Sequence, residues 1–232
     1  EYFNESHRVM TRTAMILAAG RGKRMGNLTK DTPKPLLVSK GKTLLERHLE
    51  KLSNAGFKDV VINTSYLSSQ IRDYVGDGSD WNLRVTFSEE SPILETAGGI
   101  RKALTLIGSD PFVVINADIY NEFDYHLLLN LHLNPNIDAH LFLTENPEHN
   151  IEGDFSLTPN NMVSNEKNKA HTFTGIAIYS KKFFYKVELG KRLKLAPYLI
   201  DAITNHRVSG QMLDAIWMDI GTPERLRCLD QL

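Results

Sequence analysis

Residues 13–25 read TAMILAAGRGKRM, an apolar run that leads directly into a glycine-rich and strongly basic segment. A short apolar run bounded by turn residues is typical of a strand buried inside a sheet. Gly20 and Gly22 lack side chains and tolerate positive φ, so the backbone N–H groups of this loop can approach phosphate oxygens. Positive charge is concentrated in and just after the loop, at Arg21, Lys23, Arg24, Lys30 and Lys34. The segment therefore favours a polyphosphate ligand, although an ordinary surface turn uses the same residue types.

Downstream of this loop, apolar strand-like runs alternate with amphipathic helical segments. Strands are predicted at residues 59–64, 83–89, 112–117, 139–145, 153–158, 173–180 and 214–220. Helices are predicted at residues 44–55, 66–75, 97–107, 125–133, 196–206 and 223–232. Because alternation at this spacing produces parallel strands covered by helices, we predict an α/β fold. Its expected form is a Rossmann-like, three-layer α/β/α architecture with a mixed but mostly parallel central sheet.

The composition is that of an ordinary globular protein and argues against several functions. The 232 residues include 27 Lys and Arg and 28 Asp and Glu, which gives a formal net charge of -1. A net charge this small provides no long-range attraction to nucleic acid or to a membrane surface. No stretch approaches the roughly 18 apolar residues of a membrane span. The single cysteine, Cys228, cannot form an internal disulfide, and a reducing cytoplasm is the expected setting. The length suits one domain, expected at residues 13–232, with residues 1–12 as an N-terminal extension.

Two common nucleotide-binding motifs are absent from the sequence. The chain contains no G-x-x-x-x-G-K-[ST], and its loop reads G-R-G-K-R-M where a dinucleotide-binding loop reads G-x-G-x-x-G. The second predicted strand ends in Asn63 and Thr64, without the acidic residue that holds the ribose of NAD. A P-loop NTPase and a nicotinamide-dependent redox enzyme are therefore both disfavoured.

Two aspartates, Asp118 and Asp219, lie at the ends of apolar strand-like runs. In open α/β sheets, the carboxyl ends of the strands face the ligand crevice. Two carboxylates that converge there are a common arrangement for Mg²⁺, whose coordination is completed by water and substrate phosphates. Either aspartate alone fits a structural turn or a helix cap. Both together with a basic glycine loop favour a magnesium site.

Two further stretches have the composition of ligand-binding segments. TPKPLL (32–37) places Lys34 between two prolines, which restrict the backbone and hold the cationic side chain near one place. A simple stiffened loop is the alternative interpretation. ETAGGI (95–100) combines Thr96 with two glycines at a helix start, where the backbone can come close to a flat ligand such as a nucleobase. A capped helix that uses its glycines for tight packing explains this segment equally well.

Motifs along nearly the whole chain after Thr13 resemble those of the sugar-1-phosphate nucleotidyltransferases, or NDP-sugar pyrophosphorylases. They are LAAGRGKRM (17–25), LTKDTPKPLL (28–37), ETAGGI (95–100), VVINADI (113–119), GDF (153–155), FTGIAIY (173–179), KLAP (194–197) and WMDIGTPERL (217–226). The resemblance implies a GT-A-like nucleotidyltransferase fold. It also implies that a sugar 1-phosphate attacks the α-phosphate of a nucleoside triphosphate and releases pyrophosphate. Such a transfer depends on positioning and charge neutralisation.

The resemblance also implies roles for individual residues. Catalysis would depend on Arg24, Lys34, Asp118 and Asp219, and the two aspartates would bind Mg²⁺. The nucleotide would be bound by Ala19, Gly20, Gly22, Lys23, Thr96 and Gly99. The sugar phosphate would be bound by Gly153, Asp154, Thr174 and Lys194.

Several substrates are compatible with this resemblance. The short length and the GDF and KLAP motifs favour an enzyme of bacterial cell-wall recycling that transfers UMP from UTP to N-acetylmuramate α-1-phosphate. The alternatives are a guanylyl transfer to mannose 1-phosphate and a thymidylyl transfer to glucose 1-phosphate. A regulatory protein that binds nucleotide sugars without turnover is the non-enzyme alternative, and the presence of both aspartates, Arg24 and Lys34 argues against it.

Overall fold

The computed structural model describes residues 12–166 and 170–232. Apart from Arg12, the expected N-terminal extension lies outside the described residues. The strands are β1 (Thr13–Leu17), β2 (Val38–Ser39), β3 (Lys42–Thr43), β4 (Asp59–Thr64), β5 (Arg84–Glu89), β6 (Phe112–Asn116), β7 (Ile119–Asn121), β8 (Ala139–Glu145), β9 (Ser156–Leu157), β10 (Val163–Ser164), β11 (His171–Tyr179), β12 (Val208–Met212) and β13 (Trp217–Asp219). The helices are α1 (Leu44–Ala55), α2 (Ser68–Val75), α3 (Glu95–Ala103), α4 (His126–Asn130), α5 (Ala196–Thr204) and α6 (Pro223–Gln231).

A seven-stranded sheet with the order β12-β8-β11-β6-β1-β4-β5 forms the centre of the fold. Strands β6, β1, β4 and β5 are parallel to one another, and β12 is parallel to β8. Strand β11 is antiparallel to both of its neighbours, β6 and β8. The prediction of a mixed, mostly parallel sheet is confirmed. The antiparallel strand follows the part of the chain in which regular β-α-β alternation ends.

Alternate residues of the central strands fill two hydrophobic cores, one on each face of the sheet. In β1, Ala14 and Ile16 belong to the core that contains the buried face of α1, and Met15 belongs to the core that contains the buried residues of α3 and α5. This arrangement follows from the two-residue period of strand side chains. Helices therefore cover both faces of the sheet, as the three-layer prediction requires. In the described ranges, no helix has the length and apolar character needed to cross a membrane.

Several predicted elements have different bounds in the structure. The helix predicted at residues 97–107 is α3, which begins two residues earlier, at Glu95, and ends at Ala103. The helix predicted at residues 125–133 is shortened to α4, because the backbone is extended at Leu131. The strand predicted at residues 153–158 is only the two-residue β9.

The last predicted strand, residues 214–220, contains only the three residues of β13 and lies outside the central sheet. It pairs antiparallel with β7 in a separate two-stranded ribbon. Strand β7 begins three residues after the end of β6, so this ribbon stands at the carboxyl end of the sheet. The segments that carry both predicted metal ligands therefore meet at that edge.

Candidate active site

A cavity of about 290 Å³ lies at the carboxyl end of β1. It brings together residues of the glycine loop, the proline-flanked segment, the end of β6 and the segment after β13. Among its lining residues are Gly20, Gly22, Lys23, Arg24, Lys34, Asp118 and Gly221. Six of these seven residues were predicted from the sequence, and they come from segments about 100 residues apart. The arrangement combines exposed backbone, three cationic side chains and one carboxylate, which suits a polyphosphate with a bound cation.

Lys34 lies at the centre of this cavity in a short 3-10 turn. Its backbone is held by hydrogen bonds from Leu36 N to Pro33 O and from Leu37 N to Lys34 O, at 2.9 and 3.1 Å. Its side chain is largely buried, at 8% exposure, and its Nζ forms an ion pair with Asp118 Oδ2. A buried ammonium is unfavourable without a counter-charge. The ion pair with Asp118 therefore stabilises the Lys34 side chain in the wall of the cavity.

Asp219 is placed beside Asp118 by the pairing of β13 with β7. In this ribbon Asp219 is opposite Ile119, and Ile220 N donates a 2.8 Å hydrogen bond to the carbonyl of Asp118. Asp118 therefore directly precedes β7, and Asp219 is the last residue of the strand paired with it. Asp219 does not line the 290 Å³ cavity itself, although Gly221, two residues later, does.

The carboxylate of Asp219 lies between two potential cations. Arg225 Nη2 of α6 is 3.1 Å from Oδ2, and His149 Nε2 is 2.7 Å from Oδ1. The His149 contact lacks hydrogen-bond geometry, so the buried Oδ1 has an ion-pair neighbour but no hydrogen-bond partner among the described residues. A buried carboxylate oxygen in this state can accept a further cation. Sequence analysis assigned no role to His149, which lies outside the motifs given above, or to Arg225, although Arg225 lies within the WMDIGTPERL motif (217–226).

The residues present fit a magnesium ion held jointly with substrate. Within residues 12–166 and 170–232, no group of three or more His, Cys, Asp or Glu residues has the geometry to hold a metal ion. Mg²⁺ commonly takes only one or two carboxylates from the protein and receives its other ligands from phosphates and water. Asp118 and Asp219 meet that requirement.

A second cavity, of about 190 Å³, adjoins the first along Leu17 and Gly20. Its lining includes the predicted nucleotide-binding residues Ala19, Gly20 and Thr96, together with Asn63, Glu90, Glu95 and Asn116. Gly99 does not line it. Instead Gly99 lies in the buried face of α3, where a β-carbon would overlap Oε1 of Glu90.

Asn63 and Glu90 form a hydrogen-bond chain that links three loops around this second cavity. Ala18 N donates to Asn63 Oδ1 at 2.8 Å, and Asn63 Nδ2 donates to Glu90 Oε1 at 2.8 Å. Leu94 N donates to Glu90 Oε2 at 2.7 Å. Both side chains are buried, so these bonds fix the cavity wall. Asn63 is the penultimate residue of β4 and Glu90 directly follows β5, so the same positional rule that selects Asp118 could have assigned them.

A third cavity, of about 400 Å³, continues from the second along Leu17, Glu95 and Thr96. Of the residues predicted to bind sugar phosphate, Asp154 and Lys194 line it. Gly153 and Thr174 do not, and Thr174 is fully buried with its hydroxyl donating to the carbonyl of Phe142 at 2.7 Å. The structure therefore brings two of these four side chains to the cavity wall.

The comparisons with known proteins agree with this geometry. The sequence profile described as nucleotidyl transferase matches residues 13–230 of the chain. This chain belongs to the nucleotidyl transferase family. Among individual members, it is 47% identical to N-acetylmuramate alpha-1-phosphate uridylyltransferase of Neisseria meningitidis serogroup B, over 92% of this chain and 95% of that protein.

More distant relatives carry the names of other activities. The chain is 28% identical to mannose-1-phosphate guanylyltransferase catalytic subunit beta of Drosophila melanogaster, and the match covers 91% of this chain and 60% of that protein. The chain thus spans about 60% of the length of that guanylyltransferase.

Solved structures share the fold over almost the entire chain. HddC from Yersinia pseudotuberculosis, complexed with GMP-PN, superposes with a TM-score of 0.78 at 26% identity, covering 95% of this chain and 98% of that chain. The inositol-1-phosphate CTP transferase from T. maritima has a TM-score of 0.78 at 18% identity, covering 95% and 96%. The predicted nucleotidyltransferase α/β fold is confirmed.

Proposed function

We propose that this protein transfers UMP from UTP to N-acetylmuramate α-1-phosphate, releasing pyrophosphate and forming a UDP-sugar. The observation that carries this proposal is the placement of the glycine loop, Lys34 and Asp118 around one cavity that continues into two others. This series of cavities offers separate places for a triphosphate, a base and a sugar. The 47% identity to a uridylyltransferase of the same length supports the choice of substrates.

In the proposed reaction, a phosphate oxygen of the sugar 1-phosphate forms a bond to the α-phosphorus of UTP. The bond between that phosphorus and the oxygen bridging to the β-phosphate breaks, and pyrophosphate leaves with that oxygen. The backbone of Gly20 and Gly22, with Lys23 and Arg24, would bind the triphosphate, and Lys34 would neutralise charge at the reacting phosphate. No covalent intermediate on the protein is required.

Mg²⁺ is part of this proposal, held by Asp118 and Asp219. When bound, it would neutralise phosphate charge and hold the triphosphate in one conformation. The protein groups around the proposed metal position also interact with one another directly. Lys34 holds Asp118, and the β7–β13 ribbon holds the two aspartates next to each other.

The other assigned residues have two kinds of role in this proposal. Ala19, Gly20 and Thr96 would contact base and ribose, and Gly99 would act by leaving room for Glu90. Asp154 and Lys194 would contact the sugar phosphate. Gly153 and Thr174 would support the wall of that cavity without contacting the substrate. We further propose that residues 13–232 act as one domain, in the cytoplasm, in the recycling of cell-wall sugars.

A panel of substrates tests the proposed function. Purified protein is incubated with Mg²⁺, each of UTP, GTP, dTTP and CTP, and the 1-phosphates of N-acetylmuramate, mannose and glucose, and pyrophosphate release is followed. We expect the highest kcat/KM for UTP with N-acetylmuramate α-1-phosphate and no turnover after chelation of the metal. A clear preference for GTP with mannose 1-phosphate, or for dTTP with glucose 1-phosphate, would replace this proposal with the corresponding alternative.

An aspartate variant tests the assignment of the site. Asp118→Asn should lower kcat by at least about 100-fold, because one of two metal carboxylates is lost. Asp59→Asn is the matched control, since Asp59 is also ion-paired but lies at the opposite end of β4. Unchanged turnover by Asp118→Asn, with a folded protein by circular dichroism, would eliminate the metal assignment.

A further inference from the structure

We propose that Arg192, held by Glu95, recognises an anionic substituent on the sugar and makes the third cavity selective for carboxylate-bearing sugar 1-phosphates. This inference rests on the proposed function and names the group that would read the lactyl carboxylate of N-acetylmuramate. It is carried by the backbone conformation of Glu95, by the place of Glu95 in the walls of the second and third cavities, and by its ion pair with Arg192, which is not itself a lining residue of either cavity.

Glu95 is the first residue of α3, and its backbone is unfavourable for a residue with a side chain. Its φ is 60°, in the left-handed region that glycine adopts at little cost. Its side chain lines both the second and the third cavity. A strained residue that faces two ligand-sized cavities indicates a function for its side chain.

The carboxylate of Glu95 is used to hold Arg192. Arg192 donates from Nε and from Nη2 to the same oxygen, Oε1, at 3.2 and 2.7 Å. A guanidinium has five N–H donors, and within the described residues only Nε and Nη2 of Arg192 donate hydrogen bonds, so the Nη1 side can bind a second anion. The Arg192 side chain is 66% exposed, and exposed ion pairs contribute little to stability. Stability therefore does not explain why a strained glutamate holds this arginine.

The backbone that carries Arg192 is docked firmly on the start of α3. Ala97 N donates to Leu193 O at 3.0 Å, and Leu193 N donates to Leu94 O at 2.9 Å. Gly98 allows this approach, because a β-carbon there would overlap the carbonyl of Lys191. The arginine is thus an exposed side chain on a fixed backbone beside the cavity wall.

Both carboxylates in the wall of the third cavity, Glu95 and Asp154, already accept hydrogen bonds from the protein, which leaves the nearby cations for an anionic sugar. Asp154 accepts hydrogen bonds from Phe173 N at 2.8 Å and from Asn150 Nδ2 at 3.3 Å. Lys194 is a cation in the wall, and Arg192 is a second cation two residues earlier in the chain. Lys194 is assigned to the phosphate, which leaves Arg192 for a carboxylate, the group that its planar fork binds best.

The test compares two sugar substrates that differ only in the lactyl ether. The kcat/KM for N-acetylmuramate α-1-phosphate and for N-acetylglucosamine 1-phosphate is measured with UTP and Mg²⁺. We expect Arg192→Met to lower the ratio of these two values at least tenfold, mainly through KM for the acidic sugar. Arg192→Lys should recover part of the ratio, because it keeps the charge and loses the fork. Arg84→Met is the matched control, since Arg84 is also exposed and bound to a carboxylate, Asp59, far from the cavities.

A second variant separates recognition from structural support. Glu95→Gly removes the backbone strain and releases Arg192, so it should preserve or raise Tm while lowering the same ratio. An unchanged ratio in both Arg192→Met and Glu95→Gly would overturn the inference and leave the proposed function intact. Failure of the wild-type protein to use N-acetylmuramate α-1-phosphate would instead overturn the proposed function and this inference with it.

Discussion

At the scale of the residue, the two glycines of the basic loop are required for different reasons. Gly22 has φ of 66°, and a β-carbon there would lie 3.1 Å from Lys34 Cβ and 3.2 Å from Thr29 Cγ2. The folded protein itself therefore needs glycine at this position. Gly20 has an ordinary φ, and a β-carbon would meet no atom within 4 Å. Its open face belongs to both the first and the second cavity, so the space is available to a ligand.

The Gly20→Ala variant distinguishes ligand binding from structure. We expect its Tm to remain close to wild type and its KM for UTP to rise about 10- to 100-fold, because a methyl group would overlap a nucleotide that approaches the backbone. Thermal unfolding and pyrophosphate-release kinetics provide the two measurements. Gly108→Ala is the control, since a β-carbon there has its nearest contact at 3.5 Å and lies outside the three cavities described above. A normal KM in Gly20→Ala would place the nucleotide elsewhere.

Helix α3 helps to form the walls of two cavities, and its two adjacent glycines allow neighbouring segments to pack closely against it. Gly99 packs against Glu90, which fixes the wall of the second cavity through Asn63. Gly98 packs against Lys191, whose segment carries Arg192 and the third-cavity residue Lys194. One helix turn therefore positions the groups assigned to the nucleotide and those assigned to the sugar phosphate.

Alanine at each glycine should disturb a different substrate. Gly99→Ala forces Glu90 to move and is expected to raise KM for UTP at least about tenfold, with a loss of roughly 1–3 kcal/mol in unfolding free energy. Gly98→Ala should instead raise KM mainly for the sugar 1-phosphate, because it displaces the Lys191 segment. Each variant is the control for the other. Equal effects of both variants on both substrates would mean that α3 is merely destabilised.

Across the whole molecule, a buried polar cluster connects α1 to β7, the strand that directly follows Asp118. Asn121 Nδ2 donates to the hydroxyl of Tyr125 at 3.0 Å, and this hydroxyl is also hydrogen-bonded to His48 Nδ1, 2.9 Å away. Lys51 donates to the backbone carbonyl of Asn121 at 2.8 Å. Burial, and next the Lys51 ammonium, lower the pKa of His48 from 6.5 to about 4. His48 is therefore neutral in the folded protein at physiological pH.

This cluster makes stability dependent on pH between about 6.5 and 4. In that range the unfolded chain binds a proton at His48 that the folded protein excludes, so unfolding becomes easier as the pH falls. We expect this residue alone to reduce the free energy of unfolding by about 2 kcal/mol between pH 7 and pH 5. Urea unfolding at the two pH values measures the loss.

A histidine variant isolates this contribution from that of the carboxylates. His48→Gln should be less stable than wild type at pH 7 but should lose about 2 kcal/mol less on acidification to pH 5. His132→Gln, at an exposed histidine, should retain the wild-type pH dependence. If His48→Gln shows the wild-type pH dependence, the buried neutral histidine does not control acid stability.

Much of the site was predictable because it follows the ends of individual strands. The apolar run of β1 predicts a buried strand, and the glycines and cations after it predict an anion-binding loop. Asp118 was predicted by the same reasoning from β6. Arg192 and His149 were not, because they lie in irregular segments without a repeating pattern.

Local patterns in the sequence predict the buried strands, the flexible basic loop, the alternation of strands and helices, and the family motifs. The position of Asp219 beside Asp118, of Glu90 against Gly99 and of Arg192 against Glu95 depends on tertiary packing. Hydrophobic periodicity specifies which face of an element is buried, but it does not specify which distant segment packs against that face. These three contacts join segments that are distant in the chain or lie in irregular loops, so they could not be predicted from local patterns.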